Sequence, residues 1–371
     1  MKKVVLVPHW ETWNEDRLFE NAEGCIYTEA FRAWRDSAAS LGIHLSAPSG
    51  LPKERPDMVW FIDLPRKRAT LDGWARQWPR RPVFVLHIME SPLLFPHAFE
   101  PRNRNLFDAV VSYENQSQTT PWFPCPLPVD SRPSGDGAVP FAKRKLAVMI
   151  NTNRYEGWLA TRKKGWTGLP GIGRVFSGWS IPTRSLLRPA HGELYSWRRK
   201  LAQEFTAHLP LGLDIYGSGW SGEVISWLPF LNRHVCPARQ NKTVATRAAK
   251  LRVISQYKFT IAAENYRGGR GYISEKIFEA LLGQTVPVYL GEEAIEEAVP
   301  SSCFVDARHF ASLNALIRHL ESMTEETWQS KFEAGRAFLA SKDFQRYTCA
   351  RFAARMNQIS SALMPPVERI E

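Results

Sequence analysis

Short apolar runs of strand length recur along the chain with polar, helix-patterned stretches between them. No other feature restricts the fold as much. Val4 to Val7, Met58 to Ile62, Val83 to His87 and Ala109 to Tyr113 read as strands, and Cys25 to Ser40 reads as a helix. Strands separated by helices argue for a parallel sheet covered on both faces. The pattern restarts with a strand at Leu146 to Ile150. A helix from Tyr195 to Leu209, a strand from Leu213 to Tyr216 and a helix from Lys242 to Ser255 follow. Next come a strand from Lys258 to Ala263, a helix from Ser274 to Leu282 stopped by Gly283, and a strand from Val286 to Leu290. Leu313 to Leu320 and Glu325 to Ser341 read as closing helices. Two such series in 371 residues predict two α/β domains, each with its own core.

Proline marks the boundary. Pro121, Pro124, Pro126, Pro128 and Pro133 sit poorly inside regular elements, so Pro121 to Pro140 reads as a linker. The expected division is a first domain over 1–140, a second over 141–345, and a tail or helix over 346–371 that packs back on the body. Residues Arg154 to Leu194 carry Trp158, Trp166 and Trp179 among Gly, Pro and basic residues, with neither helical nor strand periodicity. That segment reads as an insertion in the second domain, either packed to the body by its tryptophans or contacting a substrate.

Composition excludes several function classes. No apolar run approaches the roughly 20 residues of a membrane span. The apolar start Val4 to Val7 is too short for a signal peptide and is interrupted at Pro8, so a location in the cytoplasm or at the inner face of a membrane is expected. Five scattered cysteines without a CxxC pair argue against a disulfide framework or structural zinc, and no metal site is expected. His87 and His97 lack a ligand cluster around them. The formal charge of +11 suits nucleic acid, an anionic membrane surface or phosphate-bearing substrates. The basic residues are dispersed and no nucleic-acid-binding motif is present, which disfavours the first.

The densest chemical signal runs from Lys258 to Gly291. A strand ends in Glu264 and Asn265, a Gly/Arg loop follows, and Tyr272-Ile273-Ser274-Glu275-Lys276 opens a helix. Ligands of parallel sheets bind beyond the carboxyl ends of the strands. The unpaired N–H groups of a helix N-terminus favour phosphate there. Ser274 can cap that helix, Lys276 can add positive charge, and Glu275 can accept hydrogen bonds from sugar hydroxyls. Taken singly, the Glu275-Lys276 pair could be surface charge and Asn265 a turn residue; together they fit a sugar diphosphate.

This segment closely resembles the signature of the alpha-1,3/4-fucosyltransferase family, a strand ending in Glu-Asn followed by Tyr-Ile/Val-Thr-Glu-Lys and a Val-Pro-Val strand. Ser274 stands where threonine is usual and keeps the hydroxyl. Glu90-Ser91-Pro92, Ile150-Asn151-Thr152-Asn153 and Ser196-Trp197-Arg198-Arg199-Lys200-Leu201 resemble further family segments. The strand Ala109 to Tyr113 is followed by Glu114-Asn115-Gln116-Ser117 where the family has Arg-Arg-Asp-Ser, which points to a different acceptor. The resemblance runs in pieces from about residue 83 to residue 291.

The resemblance implies two Rossmann-like domains of the GT-B type across a cleft, and inverting transfer of L-fucose from GDP-fucose to an N-acetylglucosamine-containing or related glycan in alpha-1,3 linkage. The family's acceptors include bacterial lipopolysaccharide and N-glycan cores, and the lack of a membrane anchor favours a bacterial enzyme; the donor is the substrate and no separate cofactor is expected. Glu90 is implied as the catalytic base. Arg198, Asn265, Tyr272, Glu275 and Lys276 are implied at the donor, with Arg199, Gly217, Gly219 and Glu264 as further donor-side candidates. Arg198 and Arg199 compete for the phosphate. His87, Ser91, Glu114 and Asn115 are acceptor-side candidates. The competing readings are the same fold with another nucleotide sugar, and a non-catalytic glycan- or nucleotide-binding protein.

Overall fold

Strand pairing in the computed structural model gives two six-stranded sheets, with every neighbouring pair parallel. The structure describes residues 1–20, 27–65, 67–114, 120–132, 139–153, 192–217, 220, 240–241, 246–268 and 271–364. Among these, one compact unit comprises 1–130 and 345–364, and the other 131–344.

In the first unit the strands are β1 (Lys2–Pro8), β2 (Ile43–Ser46), β3 (Met58–Ile62), β4 (Val83–Ile88), β5 (Ala109–Ser112) and β6 (Trp122–Pro124). Their order is β2-β1-β3-β4-β5-β6. The chain therefore starts in the interior and reverses direction between β1 and β3. Every residue of β3 is buried, as a strand covered on both faces requires. Helix α1 (Thr28–Ala39) lays Phe31 and Trp34 against this sheet, with the Trp34 and Trp60 rings 4.8 Å apart. Helix α2 (Arg68–Arg76) buries Leu71 and Trp74, and α3 is the single turn Pro101–Arg104.

The C-terminal helix belongs to this first unit. It spans Cys349–Leu363, and Phe352 meets Phe31 edge to face at 5.5 Å. Asn357 Nδ2 donates to Ser37 Oγ at 2.9 Å. The proline-rich stretch read as a linker contains β6, an edge strand paired with β5 through Val110↔Trp122 and Val111↔Phe123. Proline is tolerated there because an edge strand need not donate on its outer side.

The second unit holds β7 (Lys145–Ile150), β8 (Leu213–Tyr216), β9 (Gln240–Asn241), β10 (Tyr257–Ala263), β11 (Val286–Leu290) and β12 (Val305–Asp306). Their order is β12-β11-β10-β7-β8-β9, so the direction reverses between β7 and β10. The helices are α4 (Tyr195–His208), α5 (Arg247–Ile254), α6 (Glu275–Leu282), α7 (Leu313–Ser322), α8 (Glu325–Leu339) and α9 (Lys342–Gln345), which makes Cys349–Leu363 α10. Thr246, Ser274, Ser312, Thr324 and Thr348 each accept a backbone N–H at a helix start, worth typically about 1 kcal/mol apiece. Trp328 of α8 is buried, donates to the Lys258 carbonyl at 2.8 Å, and stacks on Phe332.

Helix α6 does stop at Gly283, but the left-handed residue is the next one, Gln284, with φ of +61°. Gly283 is required for space: a Cβ there would lie 2.4 Å from Ile254 Cγ2. The segment Arg154 to Leu194 read as an insertion, and the first part of the helix predicted from Lys242, fall largely outside the described residues. No described helix is long and apolar enough to cross a membrane. Among the described residues Cys125, Cys303 and Cys349 form no disulfide.

Candidate active site

Ligands of a parallel sheet bind beyond the strand ends where the strand order reverses. In the second unit that point lies between β7 and β10. Their carboxyl ends lead into Asn151, Thr152 and Asn153 on one side and Glu264 and Asn265 on the other. Helix α4 sends two arginines to this place. Arg198 is 1% exposed; its Nη2 donates to the Ala263 carbonyl at 2.5 Å and to Asn265 Oδ1 at 3.0 Å. Its guanidinium also lies 5.2 Å from the Tyr195 ring. Arg199 is half-buried, and its Nη1 donates to Asn153 Oδ1 at 3.4 Å. The two neighbours thus address opposite lips of the same switch point, Arg198 the β10 side and Arg199 the β7 side.

Helix α6 supplies the next cation. Lys276 Nζ donates to Ser274 Oγ at 2.8 Å and to Glu264 Oε2 at 3.2 Å, and lies 3.8 Å from Glu275 Oε1. Burial works against its charge, but Glu264 and then Glu275 outweigh it and hold the ammonium above its ordinary range. Burial likewise opposes the Glu275 carboxylate, yet Lys276 and Lys250 bring it below the usual carboxylate range. Burial lowers the Arg198 guanidinium, opposed by Tyr195, Glu264, Tyr272 and Glu275. A buried cluster of two cations and two carboxylates is expensive to desolvate unless its members are hydrogen-bonded. Here Glu264 is held by Ser274 and Lys276, Lys276 and Glu275 are only half-buried, and Arg198 is bonded through Nη2 while its Nε is buried without a partner, an arrangement suited to meeting phosphate charge.

Several candidates take places other than those expected. Glu264 is fully buried, and its oxygens are taken by Ser274 N–H at 2.8 Å, Ser274 O–H at 2.7 Å and Lys276. It anchors Lys276 and does not itself face a donor. Tyr272 is 3% exposed, so only its edge could meet a ligand. Gly217 has φ of +121°, and a Cβ there would lie 2.4 Å from the Asn151 carbonyl oxygen. Close packing of the β7 and β8 ends therefore accounts for that glycine. Gly219 lies outside the described residues.

In the first unit Glu90 follows β4 and is half-buried. Its N–H donates to Asp63 Oδ1 at 3.0 Å, and its carbonyl accepts from the Tyr113 hydroxyl at 3.2 Å. Three acceptor candidates are core groups instead. His87 is 2% exposed, accepts from Trp60 Nε1 at 3.2 Å, and stacks on Phe352 at 5.8 Å; burial pushes it down to about 3. Ser91 is fully buried, its carbonyl accepting from Leu94 and Phe95 N–H. Glu114 is buried and paired with Arg104 at 3.4 Å; burial raises its carboxyl, opposed by Arg104. Side chains of a covered central strand point into the core, which is why His87 on β4 does not reach a ligand; Ser91 lies past the strand end and is buried in the turn that follows. Asn115 lies outside the described residues.

The sequence reading missed four supports. Asn153 receives Arg199. Glu292 accepts from Gly271 N–H at 2.6 Å and so ties down the loop entering Tyr272. Lys250 pairs with Glu279 one turn beyond Glu275. Asp63 holds Glu90. Of these, only Asp63 and Asn153 carried a signal, each being a polar residue just past the carboxyl end of a predicted strand.

The comparisons with known proteins bear on the fold and on the region that holds this cluster. Residues 190–360 match the family described as Glycosyltransferase family 10 (fucosyltransferase) C-term, a region that contains the whole Arg198–Lys276 cluster. The Homo sapiens Alpha-(1,3)-fucosyltransferase 7 is 26% identical over 313 residues, covering 77% of this chain and 78% of that one. The crystal structure of an alpha1,3-fucosyltransferase with GDP-fucose superposes with a TM-score of 0.53 at 15% identity, over 97% of this chain and 91% of the other. A DNA-modifying beta-glucosyltransferase superposes equally well, at 0.53 and 8% identity, over 97% and 99%. The fold is therefore GT-B, and the sequence match carries the assignment further than the fold can. The chain is thus fucosyltransferase-like: it has the GT-B fold, and its residues 190–360 match the C-terminal region of the fucosyltransferase family.

Proposed function

We propose that the chain is an inverting fucosyltransferase that moves L-fucose from GDP-fucose to a hydroxyl of an N-acetylglucosamine-containing or related glycan, forming an alpha-1,3 linkage. The observation that carries this reading is the cluster of buried Arg198 with half-buried Asn265, Glu275 and Lys276 at the β7/β10 switch point, inside the region that matches the fucosyltransferase family.

In the reaction the acceptor oxygen attacks C1 of fucose as the bond from C1 to the β-phosphate oxygen breaks. The electron pair of that bond leaves with GDP, and the anomeric centre inverts. Charge growing on the leaving diphosphate is met by Lys276 as a compact ammonium and by the guanidinium forks of Arg198 and Arg199. The N-terminal N–H groups of α6 add to this. Glu275, held ionised by Lys276 and Lys250, accepts hydrogen bonds from ribose or fucose hydroxyls. Glu90 takes the acceptor proton as attack proceeds. The overall charge of +11 suits an acceptor displayed on an anionic surface, such as lipopolysaccharide.

The likeness to a glucosyltransferase supports one alternative, the same chemistry with a different nucleotide sugar. A transfer assay separates the two. GDP-fucose and UDP-glucose are offered with N-acetyllactosamine, and products are read by mass spectrometry. Fucosylated product from the wild type, strongly reduced but still measurable in Glu90→Ala, supports the proposal. Glucosylated product alone would overturn it.

A further inference from the structure

Asp63 is the first residue after β3, and its backbone is left-handed, with φ of +58°. That conformation is uncommon for a residue with a side chain and is kept where surrounding contacts enforce it. The contacts are all with the strand end that leads to Glu90. Asp63 N–H donates to the His87 carbonyl at 2.8 Å. Asp63 Oδ1 accepts from Met89 N–H at 2.9 Å and from Glu90 N–H at 3.0 Å. The Tyr113 hydroxyl holds the Glu90 carbonyl from β5. One carboxylate oxygen thus satisfies two N–H groups just where β4 ends and no longer has a strand partner for them.

We propose that Asp63 is a positioning residue for the transfer reaction, a clamp that fixes the Glu90 backbone, and through it the carboxylate, at the acceptor hydroxyl. The inference rests on the reading of Glu90 as the base. The carboxylate is 3% exposed, and burial pushes it up to about 7 against the lowering effect of the Met89 and Glu90 N–H groups. Holding an acid in so unfavourable a place is understandable if the geometry after β4 has to be exact to within a fraction of an ångström. A strand end needing only to be satisfied could use water.

The test uses the full chain and steady-state transfer kinetics. Asp63→Gly removes the clamp while suiting the left-handed backbone, so folding is retained. Asp63→Asn keeps an oxygen that accepts both N–H groups. Asp63→Gly is expected to lower kcat by about 10- to 100-fold, the order seen when a reacting group is displaced by roughly 1 Å. KM for GDP-fucose should stay near the wild-type value, and Asp63→Asn should restore most of kcat. In a Glu90→Ala background, Asp63→Gly should cost nothing further, because a residue acting through Glu90 has nothing left to position. A loss in Asp63→Gly that adds in full to that of Glu90→Ala would overturn the proposal, as would an unchanged kcat in Asp63→Gly. Transfer at the wild-type rate in Glu90→Ala alone would instead sink the reading of Glu90 as the base.

Discussion

Glu264 and Lys276 form a buried ion pair, Oε2 to Nζ at 3.2 Å, with the Ser274 hydroxyl within hydrogen-bond reach of both. The strand end and the helix start that flank the Gly/Arg loop are therefore locked to each other whatever that loop does. Gly291 completes the arrangement, since a Cβ at that position would lie 2.5 Å from Glu264 Cγ. The glycine after β11 makes room for the carboxylate that aims the lysine.

Removing one partner of such a pair leaves an uncompensated buried charge. Glu264→Ala should destabilise the protein by about 3–5 kcal/mol, measured by urea denaturation. GDP affinity should fall as well, because Lys276 loses its anchor. A variant as stable as wild type would show that Glu264 and Lys276 do not depend on each other.

Arg198 and Arg199 can be told apart by their partners. Arg198→Lys gives up the planar guanidinium, whose Nη2 alone serves both the Ala263 carbonyl and Asn265, so it should weaken GDP binding by about tenfold or more. Arg199→Lys, which can still reach Asn153, should weaken it less. The opposite ranking by calorimetry would assign the phosphate to Arg199.

Gly217→Ala should destabilise the second unit by more than about 1 kcal/mol, because it combines a positive φ with a clash against the Asn151 carbonyl. Thermal unfolding with and without GDP checks this. An unchanged midpoint would return Gly217 to the list of donor contacts.

Two buried groups in the first unit give opposite dependences on pH. Asp63 is raised to about 7, so the stability linked to it is greatest below about 4 and is lost as pH rises towards 7. His87 is depressed to about 3, so its contribution is complete above about 6.5 and is lost as pH falls towards 3. Between about 4 and 6.5 the two slopes oppose each other. In His87→Gln the His87 slope is gone while that of Asp63 remains, so stability should fall less towards acid than in the wild type across that window. A fall as steep as that of the wild type would mean that another group governs acid unfolding.

Much of the architecture was legible because its strands are covered on both faces and read as unbroken apolar runs. β3, β4, β10 and β11 fall within a residue of their predicted bounds. The Glu264–Lys276 cluster was legible for a related reason: a loop between a strand end and a helix start keeps Glu264, Asn265 and Lys276 close in sequence and in space. What was missed depends on distant partners. β2 and β6 are short strands whose place is set by β1 and β5. The burial of His87 between Trp60 and Phe352 joins residues far apart in the chain, and nothing local in Val83 to His87 announces it.

The most direct test is calorimetric titration of the purified protein with GDP, UDP and ADP, without added metal. Selective GDP binding is predicted, weakened in Lys276→Ala and Arg198→Ala and unchanged in Glu90→Ala. Preference for UDP or ADP, or GDP binding indifferent to Lys276 and Arg198, would contradict the assignment of the β7/β10 switch point as a GDP-fucose site.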